Sequence, residues 1–172
     1  NSDEAILNRL LPARVASMCL AAAVALSCSI LSATGQVVLN EVMADNQSAV
    51  SNGGEFPDYV ELHNASGQSV SVAGMSLTDD PMEPRQFVFP AGTSIPARGH
   101  LVVWCDSSLG SPGLHTGFGL GAKGDRVQLY AADGATLLDE VAFGLQLRNL
   151  SIGRIPSGGG AWTLTPATAQ QA

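Results

Sequence analysis

Three observations predict an all-β fold, an antiparallel sandwich. From Gln36 onward the apolar residues fall in short runs, several alternating with polar ones. Clusters of Gly, Pro, Asn and Asp separate the runs, and no stretch carries the i, i+3, i+4 apolar spacing of an amphipathic helix. At 172 residues the chain has room for one such domain and short appendages.

The expected strands, in order, are Val37 to Met43, Tyr59 to His63, Val70 to Leu77, Gln86 to Phe89, His100 to Cys105, Arg126 to Tyr130, Leu137 to Phe143 and Ser151 to Ile155. Each is rich in β-branched, aromatic or alternating apolar residues that suit a pleated, half-buried surface. Between them lie Asn64-Ala65-Ser66-Gly67, Pro90-Ala91-Gly92, Pro96-Ala97-Arg98-Gly99 and Ala132-Asp133-Gly134, which supply the fixed or positive φ that turns require. The Asp-Gly pair before Leu137 marks the clearest hairpin. Alternation places Val60, Leu62, Val102, Trp104, Val127, Leu129, Val141 and Phe143 toward the space between the sheets.

Charged residues make up only 13% of the chain, and their scarcity is concentrated at one end. Val15 to Gln36 contains no Asp, Glu, Lys or Arg, Arg9 and Arg14 stand just ahead of it, and Ala33-Thr34-Gly35 offers a small-x-small cleavage site. That order is the order of a signal peptide, with cleavage before Gln36. The rival fate is retention of Val15 to Leu31 as an anchor, which the many Ala and Ser residues would make a weak one. The expected organisation is therefore residues 1–14 as an n-region or mis-called start, 15–35 as signal peptide, 36–165 as the β-sandwich and 166–172 as a linker-like tail. The tail is small, polar and uncharged, from Pro166 to Ala172.

Several of these segments carry a resemblance. Val38-Leu39-Asn40-Glu41-Val42-Met43-Ala44, Asp58-Tyr59-Val60-Glu61-Leu62-His63-Asn64 and Val72-Ala73-Gly74-Met75-Ser76-Leu77-Thr78-Asp79-Asp80 are similar to the lamin-tail domain family. So are Phe87 to Pro96, Gly99 to Trp104, Leu114 to Leu120, Val127 to Tyr130, Asp139-Glu140-Val141 and Ser151 to Arg154 with Trp162. The likeness runs from about Val37 to Pro166. It implies an immunoglobulin-like β-sandwich with no catalytic residues to carry over. Tyr59 and Met75 stand where the family usually shows aromatic residues, Trp in the first case, and both keep the bulk. No heptads precede the domain, so the resemblance is to secreted bacterial versions of the module rather than to nuclear lamins.

The residues themselves offer little chemistry. A net charge of -7 argues against nucleic acid as a partner. Gly119-Leu120-Gly121-Ala122-Lys123-Gly124 has the glycine spacing of a dinucleotide fingerprint, but a strand rather than a helix is expected to follow it. His63, His100 and His115 lack metal-ligand spacing, and no Ser lies in a Gly-x-Ser-x-Gly elbow. Cys105 reads as a small apolar residue ending a buried strand, with His100 on the opposite face. Tyr59, Glu61 and His63 share one face, read as solvent-facing in preference to a polar cluster. Asn46, Asn64 and Asn149 begin Asn-x-Ser triplets, glycan acceptors only in a eukaryotic secretory pathway.

Two acidic loops remain. Asp45, Asn46, Glu55, Phe56 and Asp58 lie in one, Asp79 and Asp80 in the other. Loops can vary without disturbing a sandwich core, so these are the expected interaction surface. Oxygen-rich loops also suit calcium, but the spacing matches no calcium loop, and Asx turns are the preferred reading. No other cofactor is expected. The functional expectation is a secreted, non-catalytic interaction or attachment module for a protein or cell-surface component. The alternatives are a leading or accessory domain of a larger exported hydrolase, and an envelope structural protein that meets the membrane only through a retained apolar segment.

Overall fold

The computed structural model describes residues 36–107 and 111–169. The expected n-region and signal peptide lie outside the described residues. The strands are β1 (Val37–Met43), β2 (Asp58–Asn64), β3 (Val70–Ser71), β4 (Ser76–Thr78), β5 (Phe87–Val88), β6 (Ser94–Ile95), β7 (His100–Cys105), β8 (Leu114–His115), β9 (Asp125–Tyr130), β10 (Leu137–Phe143), β11 (Leu150–Ile155) and β12 (Ala161–Pro166). A six-stranded sheet in the order β12-β11-β1-β2-β7-β8 and a four-stranded sheet in the order β10-β9-β4-β5 form an all-β, immunoglobulin-like sandwich, with β3 and β6 as a small third pair. Pairing is antiparallel except between β7 and β8, which run parallel.

The main core lies between the two large sheets. Leu39, Val42, Val60, Leu62, Val103 and Cys105 meet Leu77, Val127, Leu129 and Val141 there. On β7 the expected facing is off by one residue: Val103 and Cys105 enter this core, whereas Val102 and Trp104 point to the other side of the sheet. Leu101-Val102-Val103-Trp104 is apolar throughout, so alternation could not choose between its faces.

On β1 an extra residue changes the parity. The pairing passes from Leu39↔Leu62 to Glu41↔Glu61, leaving Asn40 as a β-bulge. Val37, Leu39 and Val42 consequently all face the main core, while Asn40 and Glu41 both reach groups on the other face. The bulge also limits pairing of β1 with β11 to Glu41↔Gly153 and Val42↔Ile152. Side chains supply what the ladder lacks at Leu39. Its N–H donates to Asp139 Oδ2 at 3.0 Å, and its carbonyl accepts from Arg154 Nε at 2.9 Å. Arg154 Nη2 also reaches both Asp139 oxygens at 3.0 and 3.1 Å, and the guanidinium lies 4.9 Å from the Trp162 ring centroid. One arginine thus ties β1, β10, β11 and β12 together.

The single strand expected from Val70 to Leu77 is two, β3 and β4. Gly74 sits between them at φ +80°, where Met75 N–H closes a turn on the Val72 carbonyl at 3.0 Å. A side chain at this φ is strained, so glycine marks the break. The short β6 and β8 and the longer β12 were not expected. The linker-like tail is also corrected: β12 extends to Pro166, and Ala167 and Ala169 pack on the outer side of the six-stranded sheet.

Candidate functional site

The loop joining β1 and β2 is organised from within. Asn46, only 3% exposed, donates from Nδ2 to the Val50 and Pro57 carbonyls, both at 2.7 Å, and accepts from the N–H groups of Ala49 and Val50. Its own N–H donates to Asp58 Oδ1 at 3.0 Å. Further along, Asn52 and Glu55 exchange backbone hydrogen bonds around Gly53 and Gly54, both at positive φ, a two-residue turn only glycines fill easily. That turn presents Glu55 and Phe56 to solvent. Asn46 is accordingly a buried scaffold residue that shapes the loop from inside.

The second loop behaves likewise. Asp80 accepts the Met82 N–H at 2.8 Å in an Asx turn, and its N–H donates to Thr78 Oγ1, leaving Asp80 exposed and Asp79 half-buried. Both loops lie within electrostatic reach of Cys105, at the C-terminal end of β7. The carboxylates of Asp58, Asp106 and Asp79 all act on the Cys105 thiol, and Asp45 acts on Asp58. Among the described residues, no Lys or Arg forms an ion pair with Asp45, Asp58, Asp79 or Asp80. No group of three or more His, Cys, Asp or Glu among the described residues is placed to hold a metal ion.

Burial pushes the Asp58 carboxyl up to about 6, with Asp45 adding to the rise and the Asn46 N–H opposing it. The folded state therefore holds this proton more tightly than the unfolded chain. Its stabilising contribution is complete below about pH 4 and is lost as pH rises through about 6. Urea midpoints measured at pH 4 and pH 7 should fall less in Asp58→Asn, whose side-chain oxygen still accepts from Asn46, than in the wild type. An equal fall in both would remove Asp58 as the source.

A third segment, 144–149, of which the sequence drew attention only to Asn149 as a triplet start, borders the β1–β2 loop. Asn149, at φ +61°, accepts from the N–H groups of Gln47 and Ser48 and donates to the Asp45 carbonyl. Beside it Leu145 and Leu147 are 72% and 49% exposed, apolar surface next to the acidic loop. The signal was present in Gly144-Leu145-Gln146-Leu147, apolar residues between strands, where a loop is ordinarily polar.

The Asn-x-Ser triplets find a structural use. Asn46 and Asn64 are buried, and Asn64 Nδ2 donates to the carbonyls of Gln68, Ile95 and Pro96, pinning the end of β2. A glycan on either would displace these bonds. Cys105 sits in the core as expected, and burial pushes its thiol pKa up, which favours the protonated form.

The outer face of the six-stranded sheet corrects another expectation. Tyr59, Glu61 and His63 are buried rather than solvent-facing. Asn40 Nδ2 donates to Glu61 at 2.9 Å, and His63 Nδ1 lies 3.0 Å from His100 Nε2. Burial raises the Glu61 carboxyl and lowers the His63 imidazole. The 156–160 turn covers this cluster: Gly158 N–H donates to Asn40 Oδ1 at 2.9 Å, and a Cβ on Gly158 would lie 2.5 Å from the His63 ring.

The family model of the Lamin Tail Domain matches residues 31–144. Among curated proteins none matches the chain. The matched span covers β1 to β10 and both acidic loops, whereas β11, β12 and the segment docked on the outer face lie beyond it.

Proposed function

The chain belongs to the lamin tail domain family, and from that premise we propose that it is a non-catalytic interaction module whose working surface is the acidic loop end of the sandwich. The observation that carries this reading is that both acidic loops flank the Cys105 end of β7, with Phe56, Leu145 and Leu147 exposed. Acidic groups without basic partners, next to apolar side chains on a rigid scaffold, suit a basic and partly apolar partner. In this reading the exposed contacts are Glu55, Phe56 and Asp80, with Asp45, Asp58 and Asp79 half-buried beside them. The charge-free run from Val15 to Gln36 supports export, with a protein or cell-surface component as the partner. An exported product whose intact mass begins at Gln36 is the corresponding expectation, and one that retains Val15 to Leu31 would favour anchoring.

The test replaces Asp45, Glu55, Phe56 and Asp80 together by Ser and compares surface fractions captured by variant and wild type. The expected partner is captured by the wild type only. It is released between about 0.1 and 1 M salt, where the screening length falls from about 10 to about 3 Å. An unchanged capture profile from a folded variant sinks the assignment.

A further inference from the structure

The outer face of the six-stranded sheet holds a second feature, away from the loop end. Glu41 on β1 is 1% exposed, and among the described residues it forms no ion pair with a base. A carboxylate accepts hydrogen bonds and donates none, so it can be buried at tolerable cost only where N–H and O–H groups reach it. One such donor is the Tyr59 hydroxyl, from the neighbouring strand β2. The others come from a single residue of the C-terminal segment: Thr168 gives its N–H to Oε1 at 2.9 Å and its hydroxyl to Oε2. On either side of Thr168, Ala167 and Ala169 pack into an apolar cluster with Met43, Tyr59 and Trp104. The Tyr59 and Trp104 rings stand edge to face, 5.9 Å between centroids.

This is a recognition geometry. One carboxylate captures the backbone N–H and the side-chain hydroxyl of the same residue, which selects Thr or Ser, and the flanking walls admit small side chains. The occupant is held outside the strand ladder. β12 ends at Pro166, which has no N–H with which to extend a ladder, and residues 167–169 belong to no strand. Their departure breaks no sheet pairing and leaves the main core intact. We propose that this socket is a peptide-binding site for an extended segment of sequence small-Thr/Ser-small from another polypeptide, and that Ala167-Thr168-Ala169 fills it in cis as a tethered competitor.

A short tether holds its segment at an effective concentration of about 1 mM, so a free peptide meets strong competition in the wild type. The probe is a synthetic peptide with the sequence of residues 164–172. In the full chain carrying Thr168→Asp, which sets a second carboxylate against Glu41 and evicts the tail, calorimetry should show the peptide binding at least about tenfold tighter than to the wild type. A peptide with Val in place of its Thr should lose most of that gain. Equal binding of the Thr and Val peptides, or no gain in a folded Thr168→Asp variant, overturns the proposal. If Thr168→Asp does not fold, the wild type decides. A spin-labelled peptide at about 5 mM, above the effective concentration of the tether, should broaden the Trp104 indole N–H and spare that of Trp162. The absence of selective broadening would overturn the proposal.

Discussion

Truncating Trp104 to alanine is expected to cost about 3 to 5 kcal/mol, the range for removing a buried Phe or Trp whose site collapses only partly. Trp104 is 3% exposed and stacks edge to face with Tyr59, but it does so on the outer face of the sheet rather than between the two sheets. The loss therefore falls on the cluster that seats Ala169 and leaves the core around Val103 filled. Denaturant unfolding measures the cost, and a loss below about 1 kcal/mol would place the indole in solvent. Location has its own readout. Trp104→Ala should loosen the C-terminal segment, seen as faster amide exchange at Thr168, whereas a cavity made at Val103 should leave that amide protected.

Arg154→Ala is the second large effect, expected at about 3 kcal/mol because it leaves Asp139 partly buried and without its cation. The side chains of Arg154 and Asp139 are 19% and 14% exposed, enough shielding for the charge-assisted pair to count for more than a surface ion pair. The Leu39 carbonyl would also lose its donor, in the part of β1 that β11 does not pair. Arg154→Lys should recover only part of the loss, since an ammonium cannot hold both Asp139 oxygens and the Leu39 carbonyl in one plane. Urea unfolding of both variants checks the order, and a Lys variant as stable as wild type would show that charge alone matters.

The sequence disclosed the strands whose two faces differ. In β2, β9 and β10 the alternation names the inward residues, and Val60, Leu62, Val127, Leu129 and Val141 are where it puts them. It failed on β7 for a physical reason: both faces of that strand are covered, so Val102 and Val103 look alike in sequence. Cover on the outer face comes from 156–160 and 167–169, segments of Pro, Ser, Gly, Ala and Thr that carry no apolar signature, the second of which reads as linker. The same blindness hid the burial of Tyr59, Glu61 and His63. At the loop end the acids were legible as a group, but Asn46 shows the limit. An Asn that organises a loop from inside and an Asn that meets a partner have the same letter, and only the carbonyls of Val50 and Pro57 distinguish them.

The bulge at Asn40 amounts to a one-residue insertion in β1. One residue added to a strand ordinarily inverts every side chain beyond it, and a half-buried strand cannot tolerate that. Here two consecutive residues share the outer side, so Val37 and Leu39 before the insertion and Val42 after it keep the same orientation. The additional residue is absorbed without altering what the core receives, and its whole effect appears on the opposite face: an amide that bridges Glu61 to the 156–160 turn, beside a carboxylate that receives Thr168. The scaffold and the outer site are thus written in the same strand yet separable by a single position. The family's sandwich can be kept letter for letter on its inner side while the outer side is free to take on a different task.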